Sequence, residues 1–249
     1  MSGLVVKFSQ KMPAKRNALS VLMSSPKRAK FDTRTITTTS FADALQIFVS
    51  SPESAKSGEV IKYTDEYTLI YDKYPKSSIH LLLLPRNQSR THLHPFTALC
   101  PEISTVSGTT EFYLSMKVAV SECVTIAIEK LQQKIGKKCS EDDIEIGVHA
   151  IPSMNNLHIH VKSRDNISPS LKNKKHYNTF NTDFFVPFDK LESITKSDKV
   201  NDKAYCATII SSNLICWRCR QNFTNQFKKL KDHLQTEFVA WKEEKDSIT

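Results

Sequence analysis

The sequence predicts an α+β fold, a mainly antiparallel β-sheet with helices packed on one side, followed by a small C-terminal module. Three observations lead to this prediction. Short β-favouring runs lie on both sides of one long segment with helical periodicity, residues 110–138. The last forty residues carry a close cysteine pair followed by a separate helical pattern. Hydrophobic residues form 39% of the 249, which is enough for a substantial core.

Composition narrows the function classes. The 5 glycines are too few for glycine-rich phosphate loops, and no GxxxxGK[ST] or GxGxxG motif occurs. Lys and Arg exceed Asp and Glu by 35 to 26, which favours a polyanionic partner, although a basic soluble protein without such a partner has the same charge. We expect no membrane partner, because no apolar run approaches the roughly 18 residues of a membrane span. The N-terminus lacks the pattern of a secretion signal, so the 6 cysteines are expected to be thiols or metal ligands.

Residues 1–39 are expected to be a disordered basic tail, since Ser, Thr, Lys and Arg dominate them. The clusters 15–16 and 27–30 are separated by ten residues, the layout of a bipartite nuclear import signal. This predicts a nuclear location, with the cytoplasm as a second one; a solvated basic tail is the alternative. The apolar segment "ALSVLM" between the clusters is expected to fold on binding a partner, which the sequence does not identify.

The ordered domain is expected to span residues 40–188. Helical spacing, short strand-like runs and the polar break around Pro75 define its elements. In order, they are a helix in 41–51, three strands in 59–86, a long helix in 110–138, and strands in 144–153 and 155–163.

Basic and aromatic residues interleave without clear periodicity in 171–188. Such a segment can follow a phosphate backbone with its lysines and stack bases on its rings. An ordinary surface loop with buried phenylalanines is the alternative. The candidate nucleic-acid contacts are Lys174, Lys175, His176 and Tyr177.

Residues 189–249 are expected to form a linker and a metal-binding finger. Cys216 and Cys219 form a C-x2-C turn, and His233 and Glu237 follow at helical i, i+4 spacing, so all four can face one tetrahedral zinc. Four protein ligands indicate a structural site; an accidental CxxC beside an amphipathic helix is the alternative. The helix also carries three candidate contacts to a phosphate backbone, which a solvated helix face would equally show: Lys228, Lys229 and Lys231.

The run "NNLHIHV" places Asn156, His158 and His160 on one face of a predicted strand, with His149 on the strand before. Three chemistries fit: a three-histidine zinc site, a packed hydrogen-bonded pair, and nucleophilic catalysis on phosphorus. We favour the last, because an imidazole with a pKa near 6.5 is largely neutral at pH 7 and can attack a phosphate.

The same run resembles the H-φ-H-φ-H-φ-φ signature of the histidine triad superfamily of nucleotide hydrolases and transferases. Taken with "HAIPSMNN" before it, "SPSLKNKKHYNTFNTDFF" after it and "YDKYPKSSIHLLLLPR" upstream, it resembles the aprataxin family, the DNA-adenylate hydrolase branch. The resemblance covers about residues 40–240 and includes the position of the finger. Asn156 departs from the first triad histidine, a supporting position, and Glu237 matches a variation of the fission-yeast branch. The forkhead-associated domain of animal aprataxins is expected to be absent, since forty residues cannot hold it.

The resemblance implies a role for each matching residue. His158 is the nucleophile that attacks the AMP phosphorus, His160 and Ser153 hold the phosphoryl oxygens, and His149 assists the leaving 5′-phosphate as an acid. The other implied roles are phosphate contact for Lys172, a ribose contact for Asp72, the pocket mouth for Lys76, structural support for His80, and stacking on a terminal base pair, or a plain core role, for Phe41.

The resemblance therefore implies a nuclear DNA-repair hydrolase that removes AMP from 5′-adenylated nicks or ends through a covalent histidine–AMP intermediate. It also implies removal of 5′-linked guanosine caps, AMP as product, and a structural zinc. Two alternatives stay open: a histidine triad hydrolase of small nucleotides, and a non-enzymatic zinc-finger DNA-binding protein.

Overall fold

A computed structural model describes residues 40–245 of the chain. A six-stranded antiparallel sheet has the strand order β1-β2-β3-β5-β4-β6, and β7 pairs with β8 in a separate ribbon. The strands are β1 Val60–Tyr63, β2 Tyr67–Tyr71, β3 His80–Pro85, β4 Ile144–His149, β5 Ile159–Ser163, β6 Phe185–Pro187, β7 Leu214–Ile215 and β8 Asn222–Thr224. The α-helices are α1 Gln46–Ser50, α2 Pro95–Leu99, α3 Thr109–Ile135, α4 Lys174–Asn181, α5 Lys203–Ile210 and α6 Phe227–Glu243.

The long predicted helix is α3, and it forms one side of the main core. Its buried positions, such as Met116, Cys123 and Ala127, recur every three or four residues, so one continuous apolar face meets the sheet. Gly136 ends the helix in the left-handed conformation (φ 67°), where glycine carries no Cβ penalty. The residues that this helix covers point to one face of the sheet and include Leu81, Leu83, Ile159 and Val161.

The second face of the sheet is also covered, whereas the sequence predicted helices on one side. Leu45 and Val49, from the segment that contains α1, pack on Ile70, Leu82 and Leu84. Strand β3 is therefore buried at every position, which explains its uninterrupted leucine run.

Strand register gathers the histidines on this second face. Residues that face each other across neighbouring strands project to the same side of a sheet. Lys162 is the partner of His80, Gly147 is the partner of His160, and Phe185 is the partner of His149. The three histidines therefore share one face, although up to eighty residues separate them.

Gly147 is required for this arrangement, because a Cβ there would lie 2.4 Å from the carbonyl oxygen of Val186 and 2.9 Å from the Phe185 ring. We expect Gly147→Ala to lower the free energy of unfolding by about 3 kcal/mol, since β4 and β6 must separate. Urea unfolding of the variant measures this loss. Gly58→Ala is the control: its added methyl meets open space, and its positive φ costs only about 1 kcal/mol. Equal losses in the two variants would contradict the steric explanation.

The segment 171–188, whose sequence shows no clear periodicity, contains α4 and β6. The side chain of Asn173 caps α4 by accepting the backbone N–H of His176 at 2.9 Å. Tyr177 and Phe180 are its buried aromatic residues, at i, i+3 spacing. Two apolar positions in an eight-residue helix are too few repeats for the helical period to be recognised in the sequence.

The two predicted modules pack into one compact unit. Trp241 from the C-terminal helix lies in the main core, and Leu171 and Tyr177 lie in the finger cluster with Leu214, Leu230 and others. The boundary at residue 188 stays a prediction. The basic tail and its import signal lie outside the described residues, and within residues 40–245 no helix is long and apolar enough to cross a membrane.

Candidate active site and metal centre

Four histidines meet on the second face of the sheet. His160 is central: its ring centroid lies 4.5 Å from that of His149, 5.0 Å from that of His158 and 5.2 Å from that of His80. The predicted strand begins later than expected, at Ile159, so His158 immediately precedes β5. Asn156 lies in the loop before it and does not face the histidines as a strand neighbour would.

Hydrogen bonding fixes which nitrogen of His158 can react. Its Nδ1 lies 2.7 Å from the carbonyl oxygen of Asn156. A carbonyl oxygen only accepts, so Nδ1 carries the proton and the neutral ring has its lone pair on Nε2. Nε2 makes no hydrogen bond to residues 40–245, and it is therefore the nitrogen available to a substrate phosphorus.

His80 sets the tautomer of His160 by the same logic. The backbone N–H of Lys76 donates to Nδ1 of His80 at 3.0 Å, which leaves the proton of the neutral ring on Nε2. That Nε2 lies 3.0 Å from Nδ1 of His160 and donates to it. The proton of His160 must then lie on its Nε2, which is enclosed and has no partner in the described chain. His160 is thereby prepared to donate to a ligand oxygen.

Donor atoms of Asp72, His80 and His160 also lie within 4.8 Å of one another, as a metal site requires. The hydrogen bond from the Lys76 N–H disfavours metal binding by His80. It occupies the Nδ1 lone pair of His80 and leaves the proton on Nε2, the nitrogen that would face the ion. Of the predicted three-histidine zinc set, only His160 belongs to this group. The geometry favours a hydrogen-bonded relay over a metal.

Burial keeps the four rings neutral. It lowers the pKa of His80 to about 4, against the attraction of Asp72. It lowers the pKa of His149 and His160 well below 6.5, and the neighbouring histidines and Lys162 act in the same direction. The pKa of His158 is also lowered by burial, although the bond to Asn156 and the charge of Asp72 oppose the shift. A neutral His158 is the form that can act as a nucleophile.

These shifts predict that the fold weakens in acid. A histidine whose pKa is lower in the folded than in the unfolded state binds fewer protons when folded. Its contribution to the free energy of unfolding is therefore fully present above about pH 6.5 and is lost as pH falls. For His80 alone the loss is roughly 3 kcal/mol below pH 4. Urea unfolding between pH 7 and pH 5 measures the slope. His149→Phe should flatten it; an equal slope in wild type and variant would show that His149 does not contribute to the pH dependence.

Phe180 and Lys162 complete the cluster, and the sequence analysis assigned neither a role. The Phe180 ring lies 4.6 Å from His149, 5.1 Å from His160 and 5.3 Å from His80. Lys162 is fully buried with its ammonium 5.4 Å from the Phe180 ring and paired with Glu145. In the sequence, only the position of Lys162 two residues after His160 indicates that it shares a strand face with the histidines.

The residues predicted to hold a nucleotide lie along the rim of the cluster. Asp72 approaches Nε2 of His80 to 3.5 Å with one oxygen and accepts the N–H of Tyr74 at 2.7 Å with the other. Burial lowers the pKa of Lys76, Asp72 opposes that shift, and the charge of Lys172 reinforces it. A carboxylate and two lysines therefore lie near each other beside the histidines, an arrangement suited to a ribose and its phosphates.

The loop between β4 and β5 joins the histidines to the N-terminal segment. The buried amide of Asn156 donates to Gln46 at 2.9 Å and to Thr91 at 3.1 Å, so it supports the loop instead of facing the cluster. The N–H of Asn155 donates to the carbonyl of Ala42 at 2.8 Å. Ser153 is exposed on this loop. Phe41 is 65% exposed, which removes the core alternative for its ring and leaves it available for stacking.

The candidate DNA contacts divide into free and engaged side chains. Lys175, Lys228 and Lys229 are exposed, as is Lys172, the predicted phosphate contact. Tyr177 is wrongly predicted as a contact, because its ring is fully buried and cannot stack on a base. Three others are held internally: Lys174 bonds Asn225, Lys231 donates to the Leu171 carbonyl at 3.1 Å, and Nδ1 of His176 accepts the N–H of Lys172 at 3.3 Å.

The four predicted finger ligands converge as expected. Donor atoms of Cys216, Cys219, His233 and Glu237 lie within 4.8 Å of one another. Nε2 of His233 lies 3.2 Å from the Cys219 sulfur and 3.1 Å from one Glu237 oxygen, and Arg218 donates to the other oxygen at 2.6 Å. Two sulfurs, one imidazole and one carboxylate oxygen fit a closed tetrahedral zinc site.

Comparison with known proteins agrees with this geometry. Residues 45–176 match the family model "Scavenger mRNA decapping enzyme C-term binding", and residues 181–240 match the "C2HE / C2H2 / C2HC zinc-binding finger". The aprataxin-like protein of Schizosaccharomyces pombe is 37% identical over 203 residues, which cover 81% of this chain and 83% of that protein.

Solved structures lead to the same group. The crystal structure of the aprataxin ortholog Hnt3 from Schizosaccharomyces pombe has a TM-score of 0.69 at 33% identity and covers 84% of this chain and 98% of its own. A second structure, Hnt3 in complex with DNA and guanosine, has a TM-score of 0.68 at 33% identity, with 84% and 100% covered.

The histidine cluster, the sheet that carries it and the decapping-enzyme match define a nucleotide hydrolase of the histidine triad class. With its finger and its relatives at more than 30% identity, the chain belongs to the aprataxin family.

Proposed function

We propose that the protein is a DNA-5′-adenylate hydrolase, which removes AMP from the 5′-phosphate of abortive ligation intermediates. The observation that carries the proposal is that two adjacent histidines are in different tautomers, one with an unprotonated Nε2 and the other with a protonated Nε2. Nε2 of His158 offers a lone pair, and Nε2 of His160 in the adjacent ring offers a proton. A phosphorus attacked by the first can have its oxygen stabilised by the second.

The proposed reaction has two displacements. Nε2 of His158 attacks the AMP phosphorus, a P–N bond forms, and the P–O bond to the DNA 5′-phosphate breaks with its electron pair on the departing phosphate oxygen. Water then attacks the same phosphorus, the P–N bond breaks with its electron pair returning to Nε2, the water gives up a proton to solvent, and AMP leaves. His149 lies beside His160. Because its pKa is lowered, His149 would assist the leaving phosphate as a neutral hydrogen-bond donor, not as a preformed imidazolium.

A DNA substrate is supported by the exposed lysines and by the relative solved with DNA and guanosine. Lys175, Lys228 and Lys229 would contact the phosphate backbone, which positions a duplex without reading its sequence. Lys172 would contact a phosphate of the bound nucleotide. Phe41 would stack on a terminal base pair. A 5′-linked guanosine cap presents the same phosphorus to His158, so we include cap removal in the proposed activity.

We further propose that Cys216, Cys219, His233 and Glu237 hold a structural zinc, as the finger family match supports. The nuclear location and a partner of the N-terminal tail are proposals that rest on the sequence of residues 1–39.

The test uses a nicked duplex that carries labelled AMP on its 5′-phosphate. Brief incubation, denaturation and peptide mapping should find AMP on His158, and longer incubation should release it. Label on another residue would contradict the assigned nucleophile. Equal kcat/KM for AMP-lysine and the adenylated nick would favour the small-nucleotide hydrolase, and DNA binding without AMP release would favour the non-enzymatic alternative.

A further inference from the structure

Helix α4 joins the finger to the histidine cluster. On one side, the hydroxyl of the buried Tyr177 donates to the carbonyl of Ile215 at 2.9 Å and accepts the N–H of Trp217 at 2.9 Å. These two backbone groups flank Cys216, a candidate metal ligand. One turn later, Phe180 packs on the rings of the histidine cluster. One short helix therefore contacts both sites.

The loop that precedes α4 is held by the finger in the same way. Leu171 is fully buried in the finger cluster, and its carbonyl accepts the Lys231 ammonium at 3.1 Å. Lys172 follows directly, and its N–H donates to Nδ1 of His176 on α4 at 3.3 Å. The backbone of a candidate phosphate-binding lysine is thus fixed between a finger residue and a helix that the finger holds.

The amide of Asn178 adds two bonds from the same helix. It donates to the carbonyls of Ile210 at 3.2 Å and Ser212 at 2.9 Å, in the segment that leads into the finger. Since side-chain bonds from Lys174, Tyr177 and Asn178 and a shared apolar cluster connect α4 to the finger and to the segment before it, movement of the finger must displace α4.

We propose that Tyr177 is a positioning residue that couples the finger to the catalytic site, so that the finger supports turnover even of substrates that contain no DNA. The proposal rests on the proposed function for the roles of Lys172 and His160. Without the Tyr177 hydroxyl, a buried carbonyl and a buried N–H beside Cys216 lose their partner, and α4 loses its fixed position against the finger.

The test compares Tyr177→Phe in the full chain with Tyr205→Phe, a control that removes a hydroxyl bonded to Asp183 on the surface. We expect Tyr177→Phe to lower kcat/KM for AMP-lysine about tenfold, to weaken AMP binding by a similar factor, and to accelerate amide exchange at residues 172–176. Affinity for unadenylated duplex DNA should stay within about twofold, because Lys228 and Lys229 lie on α6, outside the displaced segment. The control should match wild type in every assay.

A lowered Tm with unchanged AMP affinity and unchanged AMP-lysine turnover would overturn the proposal and leave Tyr177 a structural residue only. So would a loss confined to DNA binding. If the wild type binds AMP but releases none from adenylated DNA, the proposed function fails, while AMP affinity and exchange in Tyr177→Phe still decide the coupling. Should that variant not fold, Lys231→Met, which removes the bond to Leu171, must show faster exchange at residues 172–176 and weaker AMP binding, or the proposal is wrong.

Discussion

Replacing His158 with alanine should abolish AMP release from a 5′-adenylated nick, with a loss on the order of 10⁴-fold or more in kcat. The variant lacks the only nitrogen in the cluster whose lone pair the hydrogen bonds direct to a substrate. Nε2 of His160 carries a proton set by His80 and cannot substitute for it. Single-turnover assays with labelled AMP measure both the release and the covalent intermediate.

DNA affinity separates this prediction from a general folding defect. His158 is buried and the lysines proposed to contact DNA are exposed, so binding of the adenylated nick should change by less than about threefold. His92→Ala, which removes an exposed histidine from the loop before α2, is the matched control and should retain wild-type turnover. Residual covalent AMP on His158→Ala would show that another residue is the nucleophile.

Replacing Cys216 with serine should abolish binding of the proposed structural zinc and cause the largest loss of stability. Structural zinc contributes an apparent ~10–16 kcal/mol to the folding of isolated finger peptides. Cys216 is fully buried inside the finger cluster beside the Tyr177 contacts, so its loss should also disturb helix α4. Metal analysis should find one zinc per wild-type chain and almost none in the variant, and thermal unfolding should show a separate early transition.

Cys139→Ser is the matched control, because Cys139 is a half-buried thiol outside the four-ligand group. It should retain zinc and unfold within a few degrees of wild type. Glu237→His should also retain zinc, since imidazole is the commoner fourth ligand, although it loses the ion pair with Arg218. A purified wild type without zinc, whose Tm a chelator leaves unchanged, would refute the metal assignment.

Local sequence patterns determined most of the secondary structure and several of the site residues. The short apolar runs of β2 and β3, the periodicity of α3 and the i, i+4 placement of His233 and Glu237 depend on the sequence and geometry of single elements. The four finger ligands needed only a turn and one helix to meet, and the sequence predicted all of them. The family resemblance indicated His158 as well, through a motif seven positions long.

Only the tertiary structure decided how the histidines work. The His80–His160 bond joins residues eighty positions apart, and it exists because β3 pairs with β5 in one particular register. The burial of Tyr177 likewise depends on a finger strand almost forty residues away. From sequence, Tyr177 was indistinguishable from a surface aromatic in a basic loop. Such contacts depend on long-range packing, and local periodicity carries no information about which distant residues pack together.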